Sequence, residues 1–205
     1  MNHEMQHGTN QGMGLTVTQT AQVVRTLHRA LSSLFELFVA WSSDANENGD
    51  AEAGHSAVAV YLSTTGRHLG EQAVAFKALM PDSVLLADLT DITAPSRQTE
   101  AAVESMREVS GAVLRLAVSQ NVLLADLAKF CELLRQRGQP HADAPLLRAV
   151  EFLLLEITND RHKGELLLAS LTTPQSNRDH AAAVRKAAKR LISVGGLLPQ
   201  DLPIS

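Results

Sequence analysis

Aromatic side chains are nearly absent: Trp, Tyr and Phe together make up 3% of 205 residues, although hydrophobic residues reach 45%. A core so short of rings has to be filled by Leu, Val and Ala, which suits helix-on-helix packing better than a sandwich of sheets. Cysteine is equally scarce. Cys131 stands alone, so no internal disulfide can form, and a reducing cytoplasm is the expected setting. Long apolar runs are missing as well. The longest, Leu34 to Trp41, is interrupted by Glu36 and falls well short of the roughly 20 residues of a membrane span. The N-terminal residues lack the basic, apolar and small-residue succession of a secretion signal. Positive charge is not in excess either, and a net charge of −4 argues against a general nucleic-acid binder, whose phosphate contacts need clustered Lys and Arg. No Gly-x-Ser-x-Gly, Cys-x-x-Cys or glycine-rich phosphate loop occurs, so neither a catalytic residue nor a small-molecule substrate is indicated.

What is present is helical periodicity. Residues 1–15 have none and are rich in Gly, Asn, Gln and Met, which reads as a flexible tail. From Thr16 or Thr18 as N-cap, apolar residues recur at Val24, Leu27, Leu31, Leu34, Phe38 and Trp41, the spacing of a helix that ends in the loop at residues 44–50. Asp50 is placed to cap a second helix, with Val58, Leu62, Leu69, Ala73, Phe76 and Met80 on its stripe and Pro81 as its stop. Residues 81–95 read as a short crossover helix. A long third helix is expected from Ser96 to about Gly138, with Val103, Met106, Leu116, Leu127, Phe130 and Leu134 inward. A fourth, capped by Asp143, carries Leu147, Val150, Leu154, Ile157, Leu168 and Leu171, and ends at Thr172, Thr173 and Pro174. A fifth runs from Ser176 to Val194 and stops at Gly195 and Gly196. The expected fold is all-α: an antiparallel four-helix bundle over 16–174, built of two hairpins joined by a crossover, with a basic C-terminal helix and tail over 175–205.

That helix order, together with the segments YLSTTGRHLGEQAVAF, MPDSVLLADLTD, LADLAKFCELLRQ and EFLLLEITNDRHKGELL, resembles the ferritin-like superfamily and its rubrerythrin-like members over roughly residues 20–171. The resemblance implies a four-helix bundle with a di-iron or di-manganese centre made by a Glu from each of two helices and Glu-x-x-His from each of the other two. This chain has no Glu-x-x-His in its second or fourth helix, since Gly66 precedes Leu69 and Glu156 precedes Asn159. The family's metal chemistry therefore carries over to no residue by motif. An internal echo offers a substitute set. Arg67-His68-Leu69-Gly70-Glu71 recurs as Arg161-His162-Lys163-Gly164-Glu165, with Glu36 and Glu132 upstream on the partner helices. Glu36, Glu132, His68, Glu71, His162 and Glu165 would suffice for two iron or manganese ions if they converged; residues on the outside of duplicated helices are the plainer account. Pairing the first two helices about a loop near residue 47 would set His68 opposite His28.

Three further features invite chemistry. His3-Glu4-Met5-Gln6-His7 has the zinc-protease spacing but sits in the tail, where nothing would exclude water or supply a third ligand. Cys131 lies beside Phe130 and Glu132 with no basic neighbour in sequence, as a packed structural thiol would. Arg178, Arg185, Lys186, Lys189 and Arg190 make the last helix basic, enough to meet an acidic partner, a membrane surface or nucleic acid, although a thin apolar face without Trp or Phe weakens the membrane reading. The leading expectation is a non-enzymatic binding or adaptor bundle with no cofactor, pairing as a homodimer or with another protein. Its contact residues would be Phe35, Phe38 and Trp41 on the first helix and Arg185, Lys186, Lys189 and Arg190 on the last. A di-metal carboxylate protein and a basic-helix nucleic-acid or membrane-surface binder are the alternatives.

Overall fold

In the computed structural model, which describes residues 14–47, 54–80 and 97–198, all regular structure is helical. The elements are α1 (Val17–Glu47), α2 (His55–Ala78), α3 (Arg97–Arg107), α4 (Ala112–Val118), a π-helical turn (Ser119–Leu123), α5 (Leu124–Arg137), α6 (Ala144–Leu171) and α7 (Pro174–Ser193). The expected crossover helix, the loop after α1 and the Asp50 cap lie outside the described residues, as do the tail motif at residues 3–7 and the last seven residues. No described helix is long and apolar enough to cross a membrane.

The start of α1 is a reciprocal cap: Gln19 N–H donates to Thr16 Oγ1 at 3.2 Å and Thr16 N–H to Gln19 Oε1 at 2.8 Å. The α1 stripe buries Val24, Leu27, Leu31, Leu34, Leu37 and Phe38 completely, and most of it lies along α2. Glycine makes that contact close. A Cβ at Gly66 would stand 3.3 Å from Phe38 Cβ, and one at Gly70 3.3 Å from Phe35 Cδ2, so α2 meets α1 along a strip too narrow for side chains on both helices. These glycines weaken the helix locally and repay it in packing. The register differs from the expected one: His28 Nδ1 lies 2.8 Å from the Ala73 carbonyl, so His28 faces residue 73 rather than His68, and α1 runs on to Glu47, through the start of the expected loop.

The single long third helix is corrected. Between α3 and α4 the chain leaves helical geometry at residues 108–111, where Gly111 takes φ +87°, a conformation side chains other than glycine rarely adopt. Arg115 locks the break: Nε donates to Val109 O at 2.9 Å, Nη1 to Trp41 O at 3.3 Å and Nη2 to Asp44 Oδ2 at 2.8 Å. Its guanidinium also sits 5.9 Å over the Trp41 ring, which itself stacks on Phe38. α6 packs on α5 and α2 through Leu146, Val150, Leu153, Ile157, Asp160 and Gly164. This is one residue off the expected stripe at Leu147 and Leu154, both only half-buried. Asp143 caps nothing with its side chain; its carboxylate instead accepts from Leu15 N–H at 3.1 Å and Gln139 N–H at 2.8 Å, tying the chain before α1 to the α5–α6 turn.

Pro174 opens α7 rather than closing α6, at the first helical position behind a Thr173–Ser176 capping box. α7 ends as expected: Gly195 and Gly196 both take φ +93°, and their N–H groups reach back to Ile192 O and Leu191 O. The segment beyond is held by α3 and α5, through Thr99 Oγ1 to Leu197 O (2.8 Å) and Leu197 N–H to Asp126 Oδ2 (2.9 Å). Ala187, Leu191, Leu197 and Leu198 belong to the same core as α1 and α2, so the C-terminal helix is integrated with the rest of the fold.

A buried polar layer between α2, the π turn and α6

Polar side chains enter the core where α2, the π turn and α6 meet. Tyr61 on α2 donates its hydroxyl to the Asp160 carbonyl at 3.1 Å, and two turns further along α2 His68 Nδ1 stands 2.8 Å from Asp160 Oδ2. Asp160 is 4% exposed, so a carboxylate on the core stripe of α6 has an imidazole as its partner. Gln72, the next turn of α2, donates from Nε2 to Glu156 Oε2 at 2.7 Å nearer the surface. Burial pushes the Tyr61 hydroxyl up to about 12; the Asp160 charge adds to the shift, and the neighbouring Thr65 and Ser119 hydroxyls oppose it.

The π turn supplies Ser119 and Gln120, both fully buried. Ser119 Oγ donates to Leu116 O at 2.8 Å within its own helix. The Gln120 amide is different: among the described residues neither its oxygen nor its nitrogen has a hydrogen-bond partner. It is accommodated because α6 has a glycine opposite, where a Cβ on Gly164 would overlap the Gln120 amide and stand 2.8 Å from Tyr61 Cζ. A π turn, a glycine on the facing helix and an unpaired buried amide therefore occur together.

No protein-family model, curated protein or solved structure matches this chain. The layer must be read from its own chemistry.

The substitute metal set is not brought together. Of its six residues only His68 points into this layer, and its partner is Asp160, which the echo did not include. Glu71 pairs with Arg67 at 2.9 Å on the outside of α2, and Glu132 with Arg135 at 2.8 Å on α5. Glu36, His162 and Glu165 are exposed. The two halves of the echo present different faces, since His68 turns inward while its counterpart His162 turns out. Among the described residues no three His, Cys, Asp or Glu side chains gather as a metal-holding group. One carboxylate already paired with an imidazole, beside a neutral amide and a phenol, does not fit the donor set of a carboxylate-bridged metal pair.

The expected contact residues divide likewise. Phe38 and Trp41 are buried in the chain's own core at 0% and 2% exposure, which corrects their assignment to an outer surface; Phe35 keeps 38% of its surface exposed. Arg185, Lys186 and Lys189 are exposed on α7, whereas Arg190 pairs with Glu108 at 3.0 Å. Cys131 is fully buried, and burial together with Glu132 holds its thiol well above the ordinary range, leaving it protonated and packed. Asp160 and Gln120 carried no signal in sequence beyond being polar residues at apolar-stripe positions. Gly164, which faces Gln120, was visible only as part of the echo.

Proposed function

We propose that this chain is a non-enzymatic binding module. In this reading α1, α2, the α4–α5 rod and α6 take the places of the four helices of a ferritin-like bundle, the segment between α2 and α3 acts as the crossover, and α7 is an addition. The observation that carries it is the composition of the interior layer: Tyr61, His68, Gln120 and Asp160 occupy the inward positions, with one carboxylate among them, while Glu36, Glu71 and Glu165 lie exposed. The hydrogen bonds that Tyr61 and His68 make with Asp160 fix how α2 meshes with α6 and leave recognition to the outer faces. Elemental analysis of untagged, dialysed protein tests this. Less than about 0.1 iron or manganese per chain is expected, whereas about two per chain would overturn the reading, that being the stoichiometry of the family's paired site.

A further inference from the structure

α6 carries two apolar stripes. The first, from Leu146 to Gly164, is buried in the fold; the second lies on the opposite side and has no partner among the described residues. Phe152, Leu155 and Leu166 are 58%, 59% and 61% exposed, and Asn159 and His162 between them are exposed as well. The spacing 152, 155, 159, 162, 166 alternates three and four residues, continued by Ala169, and is the a/d seam of a coiled coil. At about 1.5 Å per residue, Phe152 to Ala169 spans roughly 25 Å of straight helix.

We propose that this face pairs with a second copy of the chain, α6 against α6, antiparallel about a two-fold axis between Asn159 and His162. The proposal rests on the binding-module reading and names the partner. Antiparallel seams set each a residue against a d residue of the partner. Here that places Leu155 on Leu166 twice, the large Phe152 on the small Ala169 twice, and Asn159 against His162 at the centre, where a polar layer fixes register.

The flanking charges choose the direction. In the antiparallel pair Glu156 on one helix faces Lys163 on the other at both ends of the polar layer, and Glu165 faces the uncharged Thr158. A parallel pair would instead set Glu151 against Glu156, like charges across the seam. Self-complementarity of this kind is what an isologous two-fold contact requires, and an unrelated partner would not demand it.

Sedimentation equilibrium of the full chain at about 20 μM is the test, alongside circular dichroism. A dimer is expected. Leu155→Lys and Leu166→Lys, both at exposed positions, should each weaken dimerisation at least tenfold with helical content unchanged. Glu156→Lys should weaken it too, and adding Lys163→Glu should restore it. Mixed L155C and L166C chains should cross-link on oxidation, and L155C alone should not. A monomeric wild type, a dimer indifferent to both lysine variants, or efficient cross-linking of L155C with itself would each overturn the proposal. Metal content of the same samples reads the binding-module proposal separately, because a metal-loaded chain could still dimerise through this face.

Discussion

Gly164→Ala is the most demanding test of the interior packing, because two opposing effects decide its sign. Within a helix, replacing Gly by Ala ordinarily stabilises by about 0.5–1 kcal/mol through the lost freedom of the unfolded chain. At position 164 the new Cβ would overlap the Gln120 amide and sit 2.8 Å from Tyr61 Cζ. Neither neighbour has room to retreat, since Gln120 is fully buried and Tyr61 is 8% exposed. Overpacking of a tight core costs about 1–3 kcal/mol, so the net expectation is a loss of about 1–2 kcal/mol. Urea unfolding would read this as a midpoint lower by about 0.5–1 M if m is about 2 kcal/mol/M and unchanged. Repeating the substitution in a Gln120→Ala background separates the clash from any general intolerance. With the amide gone, the cost of Gly164→Ala should fall by about 1 kcal/mol. A Gly164→Ala protein more stable than the wild type, or an equal cost in both backgrounds, would refute the proposed contact between α6 and the π turn.

Two further outcomes follow from the same geometry. With the Tyr61 hydroxyl raised to about 12 in the fold and titrating near 10 when unfolded, its contribution is intact below pH 10 and is lost as pH rises from 10 to 12; Tyr61→Phe should remove up to about 3 kcal/mol of that alkaline loss, measured by urea unfolding across the range. Asp143→Ala removes an acceptor shared by Leu15 N–H and Gln139 N–H, and should cost about 1–3 kcal/mol while speeding hydrogen exchange at both amides.

Helix ends that rest on one strong local signal were readable in advance, as at Gly195–Gly196, whereas Thr16 and Thr18 offered two equivalent caps for α1 and the fold uses Thr16. So was the buried stripe of α1, where apolar residues recur without competitors. The run Phe152-Leu153-Leu154-Leu155 was ambiguous for a physical reason: four adjacent apolar residues cover every side of a helix, and periodicity cannot say which faces the core. Leu153 does; Phe152 and Leu155 do not. The break at residues 108–111 hung on Gly111 within a chain that stays rich in helix formers on both sides, so its positive φ was invisible to pattern alone. Pro174 was ambiguous in another way, because proline both stops one helix and starts the next. The interior layer was hidden by distance in the chain. His68 and Asp160 are 92 positions apart, and only the folded register of α2 on α6 makes them partners.

The π turn has a further consequence for how this rod tolerates change in length. A turn that closes on the fifth residue instead of the fourth accommodates one residue more than the surrounding helix needs, and does so without turning the helix beyond it away from its neighbours. Leu127, Cys131 and Leu134 beyond it remain buried in the core. Ser119–Leu123 therefore behaves as an inserted residue absorbed in place, and it is this local surplus of backbone that carries Gln120 inward to meet Gly164 and Tyr61.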